Sequence, residues 1–143
     1  MSDPDPTDTG SVVGVGVDLV SVPRVARALQ RRPGLAQRLL TERESARLDA
    51  ISSEMSRQRS LAVRLAGKEA VMKSLGVGMG AVGFKDIEIA GGRGSQPRVS
   101  LSGRAARRAA LLSVDKVALS LSHDGDMAMA TAVATRRCTC GPS

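Results

Sequence analysis

Arg64-Leu-Ala-Gly-Lys-Glu-Ala-Val-Met-Lys-Ser-Leu-Gly76 decides how this chain folds. Continued upstream to Ser60, it predicts one long helix over about 60–75. Leu61, Leu65, Met72 and Leu75 form one stripe, and Ala62, Ala66 and Ala70 pack alongside. Gly76-Val-Gly78-Met-Gly80 ends it. A helix this apolar has to be covered by other elements, yet it carries Arg64, Lys68, Glu69 and Lys73 beside small residues. Charged groups in that setting point to a lined site more than to a solvated face.

On the N-terminal side, Thr41-Glu-Arg-Glu44 has capping-box spacing and predicts a helix from about 42, with polar residues 52–58 as a loop. Further back, Ser21 caps a helix with Pro23 in its first turn. Val22, Val25, Ala26 and Leu29 face one way on it, and Arg24, Arg27 and Arg31 the other. Pro33-Gly34 breaks that helix before a short helical segment over 35–40. Val12 to Asp18 is a β-branched run, read as a strand that ends on a carboxylate. On the C-terminal side, strands are expected at Ile87–Ile89, Arg98–Leu101, Val117–Leu121 and Met127–Ala134. A helix capped by Ser102 is expected over 103–112. The fold class is α+β, an antiparallel sheet around a long central helix. Residues 1–11 are expected as a disordered leader, 12–135 as one domain and 136–143 as a flexible tail.

The 143 residues contain one Phe, no Trp and no Tyr, so aliphatic side chains build the core and bases have no aromatic platforms to stack on. That removes most single-strand nucleic-acid binders. No apolar run approaches the roughly 20 residues of a membrane span, and the acidic start is unlike a secretory signal, so a cytoplasmic domain is expected. Net charge is +7. Between Arg24 and Arg64 stand ten arginines and four acids, a local excess of six. Guanidinium forks suit phosphate and carboxylate oxygens, so this block reads as a surface for an anionic partner. Cys138 and Cys140, one residue apart in a polar tail, suit neither a disulfide with each other nor a zinc site.

Three places can carry chemistry. Gly14-Val-Gly16-Val-Asp18 lacks the third glycine of a dinucleotide loop. An acid behind small residues suits a hard cation better, since Mg2+ typically takes one or two carboxylates together with phosphate and water. Glu69 and Lys73 are one turn apart and address one ligand from one helical face; the plainer reading is an i,i+4 ion pair. His123, the only histidine, sits in Ser120-Leu-Ser-His-Asp124 at a strand end, and no Gly-x-Ser-x-Gly elbow accompanies the serines.

At these residues a resemblance becomes specific. Gly14-Val-Gly-Val-Asp-Leu-Val-Ser-Val-Pro-Arg24, the stretch Arg64–Gly76, Phe84-Lys-Asp-Ile-Glu-Ile89 and Ser120-Leu-Ser-His-Asp124 resemble, in order, the motifs of the holo-acyl-carrier-protein synthases. These are small 4′-phosphopantetheinyl transferases. Leu65 stands where an aromatic is usual, Gly67 where alanine is common, and Ser95-Gln96-Pro97 replaces a Gly-Lys-Pro turn. The resemblance implies transfer of the phosphopantetheine arm of coenzyme A to a serine of an acidic carrier protein, releasing 3′,5′-ADP. It implies Mg2+ on Asp18 and Glu69, with Glu69 or a metal-bound water that it orients as the base, and Lys73 near the diphosphate to stabilise or protonate the leaving 3′,5′-ADP. His123, oriented by Asp124, and Ser122 would meet the nucleotide phosphates, and Arg64, Lys73 and Gly76 would line the coenzyme site. Arg57 or Arg59 would reach the 3′-phosphate, and Arg24, Arg31 and Arg38 would dock the carrier. A homotrimer with sites between subunits is implied, with no nucleic-acid or membrane partner. A basic nucleic-acid-binding module and a Mg2+-dependent phosphohydrolase remain the alternatives.

Overall fold

Strand β1 (Ser11–Ser21) pairs antiparallel with β5 (Met127–Arg136), and β5 pairs with β4 (Lys116–Asp124), giving the sheet order β1-β5-β4. The structure is a computed structural model and describes residues 10–92 and 94–137. Between β1 and β4 the chain forms α1 (Val22–Arg31), α2 (Leu35–Leu39), α3 (Glu42–Asp49) and α4 (Glu54–Ser74). A 3-10 turn (Phe84–Asp86), the hairpin β2 (Ile87–Gly92) and β3 (Ser95–Leu101), and α5 (Gly103–Leu111) follow. The α+β class and the long central helix expected from the sequence are both present.

Helix α4 lies across one face of the three-stranded sheet. That face is built from Ala128, Ala130, Ala132 and Ala134 of β5 with Leu119 of β4, all buried. Small side chains let the helix come close, and β1 takes this furthest. A side chain at Gly14 would overlap the Ser74 carbonyl oxygen, and one at Gly16 the Ala70 carbonyl oxygen. The two glycines therefore serve backbone contact between β1 and α4. Gly67 makes room for side chains on the other flank, where a Cβ would stand 2.6 Å from Ile89 Cδ1. Around this contact Val71, Met72, Leu75, Ile87 and Ile89 form the dense part of the core, each large side chain contributing about 1.5–3 kcal/mol by burial. A second cluster joins Val22, Val25, Leu40 and Leu61, tying α1 and the chain before α3 to the first half of α4.

Several boundaries differ from the sequence reading. β1 begins at Ser11, so that residue is not leader, and residues 1–9 lie outside the described part. It also continues three residues past Asp18, because Leu19 and Val20 keep pairing with Met129 and Ala128. Asp18 is thus in mid-strand. Residues 54–58 are helix: Ser53 Oγ accepts from the Ser56 N–H at 3.3 Å and starts α4 six residues early. Ser102 makes no side-chain cap; its N–H donates to Asp86 O at 2.8 Å. β5 runs to Arg136, and the Arg137 N–H donates to Asp115 Oδ2. The tail with Cys138 and Cys140 lies outside the described residues. The capping box on α3 forms as expected: Thr41 N–H donates to Glu44 Oε1 at 2.9 Å, and Glu44 N–H to Thr41 Oγ1 at 3.3 Å.

Candidate active site

Strand alternation turns Asp18 toward α4, on the same face as its register partners Ala130 and Leu121. Its side chain is 11% exposed, and Oδ1 accepts from Lys73 Nζ at 3.0 Å. Lys73 Nζ also donates to the Val17 carbonyl at 2.9 Å, so α4 is pinned to β1 at this point. Asp18 Oδ2 is buried without a hydrogen-bond partner. Glu69 sits one turn before Lys73. Burial pushes its carboxyl up to about 7, the neighbouring Asp18 carboxylate pushes the same way, and Lys73 opposes them. Asp18, Glu69 and Lys73 thus come together as the sequence suggested. The ammonium pairs with Asp18 and not with Glu69, so the i,i+4 ion pair is not the arrangement found.

Two neighbouring carboxyl groups, one with an orphaned buried oxygen and one holding its proton up to near neutrality, are the chemistry a divalent cation relieves. Among the described residues no cluster of three or more acids, histidines or cysteines forms, which would suit an all-protein cage. The pair fits Mg2+, which keeps waters and takes substrate phosphate.

On the other flank of α4 opens a cleft of about 560 Å3. Arg47 of α3, Arg59, Ser60 and Arg64 of α4, and Ser122 and His123 of β4 line it, with the β2–β3 turn as one wall. No described lining residue is acidic. Arg64 Nη1 donates to Ser60 Oγ at 2.5 Å, while its Nε is buried and unpartnered. Burial lowers the Arg64 pKa, Glu44 raises it and Arg47 lowers it further. His123 is exposed at the strand end. Asp124 follows it in the strand and so turns to the opposite sheet face; among the described residues no hydrogen bond links the two, so Asp124 does not orient the imidazole.

Other expected residues lie elsewhere. Arg57 faces a separate cavity of about 270 Å3 among α1, α2, α3 and α4, lined by Leu29, Leu48 and Leu61. It does not share the cleft with Arg59. Gly76 closes α4 at φ 68°, outside the cleft lining, where Arg108 Nε donates to the Leu75 carbonyl at 2.9 Å. Arg24 and Arg31 are exposed on α1 and Arg38 on α2, with no ion pair among the described residues. Lys68 is structural. Fully buried, it donates to Glu44 Oε1 at 2.6 Å and to the carbonyls of Leu39 and Phe84 at 2.8 Å, while Glu44 Oε2 accepts from the Ile89 N–H. The sequence reading missed this clamp and the placement of Arg47.

Residues 14–132 match the family model of the 4′-phosphopantetheinyl transferase superfamily, ACPS. A holo-[acyl-carrier-protein] synthase of Desulforudis audaxviator is 44% identical over 133 residues, covering 92% of this chain and 95% of the relative. Among solved structures, holo-ACP-synthase from Plasmodium yoelii superimposes with a TM-score of 0.80 at 26% identity, over 89% of this chain and 97% of that one. The Helicobacter pylori holo-[acyl-carrier-protein] synthase, solved in complex with coenzyme A, gives 0.71 at 28% identity, over 84% and 98%. The chain belongs to the 4′-phosphopantetheinyl transferase superfamily. Its enzyme class within that superfamily is holo-[acyl-carrier-protein] synthase, which moves phosphopantetheine from coenzyme A to an apo acyl carrier protein. Among the described residues no helix is long and apolar enough to cross a membrane.

Proposed function

We propose that the chain transfers 4′-phosphopantetheine in a Mg2+-dependent reaction that releases 3′,5′-ADP, in the cytoplasm, at sites shared between copies of a homotrimer. The observation that carries the reading is the convergence of Asp18, Glu69 and Lys73 from distant segments. Asp18 and Glu69 would hold the ion, and a bound Mg2+ neutralises charge on the coenzyme A diphosphate. Glu69, or a water that it orients, takes the proton of the carrier serine hydroxyl. The serine oxygen bonds to the β-phosphorus as the bond from that phosphorus to the bridging oxygen breaks. The electron pair leaves with 3′,5′-ADP, whose new charge Lys73 stabilises. Arg59, Arg64, Ser122 and His123 bind the nucleotide end in the cleft, and exposed Arg24, Arg31 and Arg38 meet the acidic carrier.

One feature supports shared sites: the outer sheet face is apolar and open. Val12, Val15, Val17 and Leu19 of β1 are each at least half exposed, next to Met127 and Met129 of β5. Such a face is the kind that a neighbouring subunit covers.

The test is mass spectrometry of an apo carrier incubated with the enzyme. The carrier should gain the mass of phosphopantetheine only when coenzyme A and Mg2+ are both present. Coenzyme A cleavage without a carrier would indicate a phosphohydrolase, and undiminished transfer in chelator would remove the metal from the account.

A further inference from the structure

One buried ion pair fastens three sides of the cleft to one another. Lys68 Nζ donates to Glu44 Oε1 at 2.6 Å and to the carbonyls of Leu39 and Phe84 at 2.8 Å, and both charged side chains are buried. Glu44 Oε2 accepts from the Ile89 N–H at 3.0 Å, and beside it Thr41 Oγ1 donates to Glu88 Oε2 at 2.7 Å. The pair therefore ties α4 to the start of α3 and to β2. Each of these elements runs from the pair into the cleft. Arg47 follows Glu44 by one turn of α3, Arg64 precedes Lys68 by one turn of α4, and Gly91 and Gly92 follow Ile89 along β2.

As a source of stability alone the pair is a poor choice. Desolvation consumes much of its attraction, and apolar side chains of similar volume often hold a fold as well. Burial lowers the Lys68 pKa accordingly, with Glu44 opposing it. What directed bonds add is a fixed offset between the elements they join. The Glu44 carboxylate also raises the Arg64 pKa, so its charge is felt inside the cleft.

We propose that Lys68 and Glu44 are positioning residues for coenzyme A, holding α3, Arg64 and the β2–β3 turn at the spacing that the nucleotide end requires. This rests on the reading that the cleft holds that end. None of the pair's bonds reaches Asp18 or Lys73, so the pair acts on coenzyme affinity and not on the chemical step.

The double variant Lys68→Met/Glu44→Gln separates positioning from stability. It removes both buried charges, so it regains much of the Tm lost in Lys68→Met, while the bonds that set the offset stay broken. In the carrier-modification assay it raises KM for coenzyme A about tenfold, the loss of roughly one charge-assisted contact. Its kcat stays within twofold of wild type, and KM for the carrier is unchanged. Calorimetry with 3′,5′-ADP, without metal or carrier, shows the same loss of affinity. Glu44→Gln alone raises KM in the same direction. Val82→Ala, a buried position outside the cleft lining, lowers Tm and leaves KM in place. A coenzyme A KM that returns to wild type along with Tm in the double variant, or that Val82→Ala raises as far as Glu44→Gln does, overturns the proposal. Arg64→Gln tests the reading beneath it. If Arg64→Gln raises KM for coenzyme A and the pair variants do not, only the positioning role fails; if Arg64→Gln has no effect, the nucleotide reading of the cleft fails and the positioning role with it.

Discussion

Replacing Gly16 by alanine tests the contact that assembles the site. The new Cβ would overlap the Ala70 carbonyl oxygen and stand 2.8 Å from the Ser74 backbone nitrogen. Both obstacles are helix backbone, so no rotamer change relieves them, and α4 has to back away from β1 by roughly 1 Å or more. Overpacking of this kind costs about 1–3 kcal/mol. A backbone-on-backbone clash belongs at the upper end, which lowers Tm by roughly 10 °C for a domain of this size. The same movement stretches the 3.0 Å Lys73–Asp18 bond past hydrogen-bonding range and draws Glu69 away from Asp18. Displacement of reacting groups on this scale reduces turnover on the order of a hundredfold. Gly78→Ala is the control: nothing lies within 4 Å of its Cβ position, and the substitution should be neutral or slightly stabilising. Thermal unfolding followed by circular dichroism and a carrier-modification assay on both variants decide the matter. A Gly16→Ala protein with wild-type Tm and rate would refute the claim that glycine contact positions the carboxylates.

Further consequences are measurable. Glu69 is neutral in both folded and unfolded chains below pH 4.5, and between there and about 7 only the unfolded chain ionises it. Wild-type stability therefore falls through that window relative to Glu69→Gln. In metal-free buffer the Tm advantage of the variant should grow from pH 4.5 to 7 and then level off; a difference constant with pH contradicts the raised pKa. Arg24→Glu should raise KM for the carrier far more than KM for coenzyme A, and equal effects would remove the docking role. Lys68→Met strands the buried Glu44 carboxylate at a cost of about 3–5 kcal/mol, and adding Glu44→Gln should recover much of it in urea unfolding. A double variant as unstable as the single one would show that the pair is not what matters. Leu19→Glu, on the open sheet face, should lower the mass of the proposed trimer to that of a single chain in light scattering; an unchanged mass would contradict a subunit contact on this face.

Local chemistry was legible in the sequence, and direction in space was much less so. The Thr41–Glu44 box involves four consecutive residues and forms as read. Glu69 and Lys73 were placed on one face by helical period alone, and the resemblance linked them to Asp18. The role of Gly14 and Gly16 was not readable, because it depends on a helix more than fifty residues away. Lys68 looked like a site residue because charge on an apolar helix does not say which way it points. Its partner Glu44 had already been read as a cap, yet its Oε1 also accepts from Lys68 and its Oε2 from the Ile89 N–H. Arg57 and Arg59 were treated as interchangeable, since residues 52–58 were read as loop. Once Ser53 starts the helix there, two residues apart means nearly opposite faces, and only Arg59 reaches the cleft. Asp124 failed for the same reason on a strand, where neighbours alternate sides.

The claim at the centre is that Asp18 and Glu69 together hold one divalent ion. Mn2+ titration followed by electron paramagnetic resonance, with coenzyme A present, measures this directly. The account predicts one ion per chain, with affinity lowered at least tenfold in both Asp18→Asn and Glu69→Gln. Either variant binding Mn2+ as tightly as the wild type would contradict it.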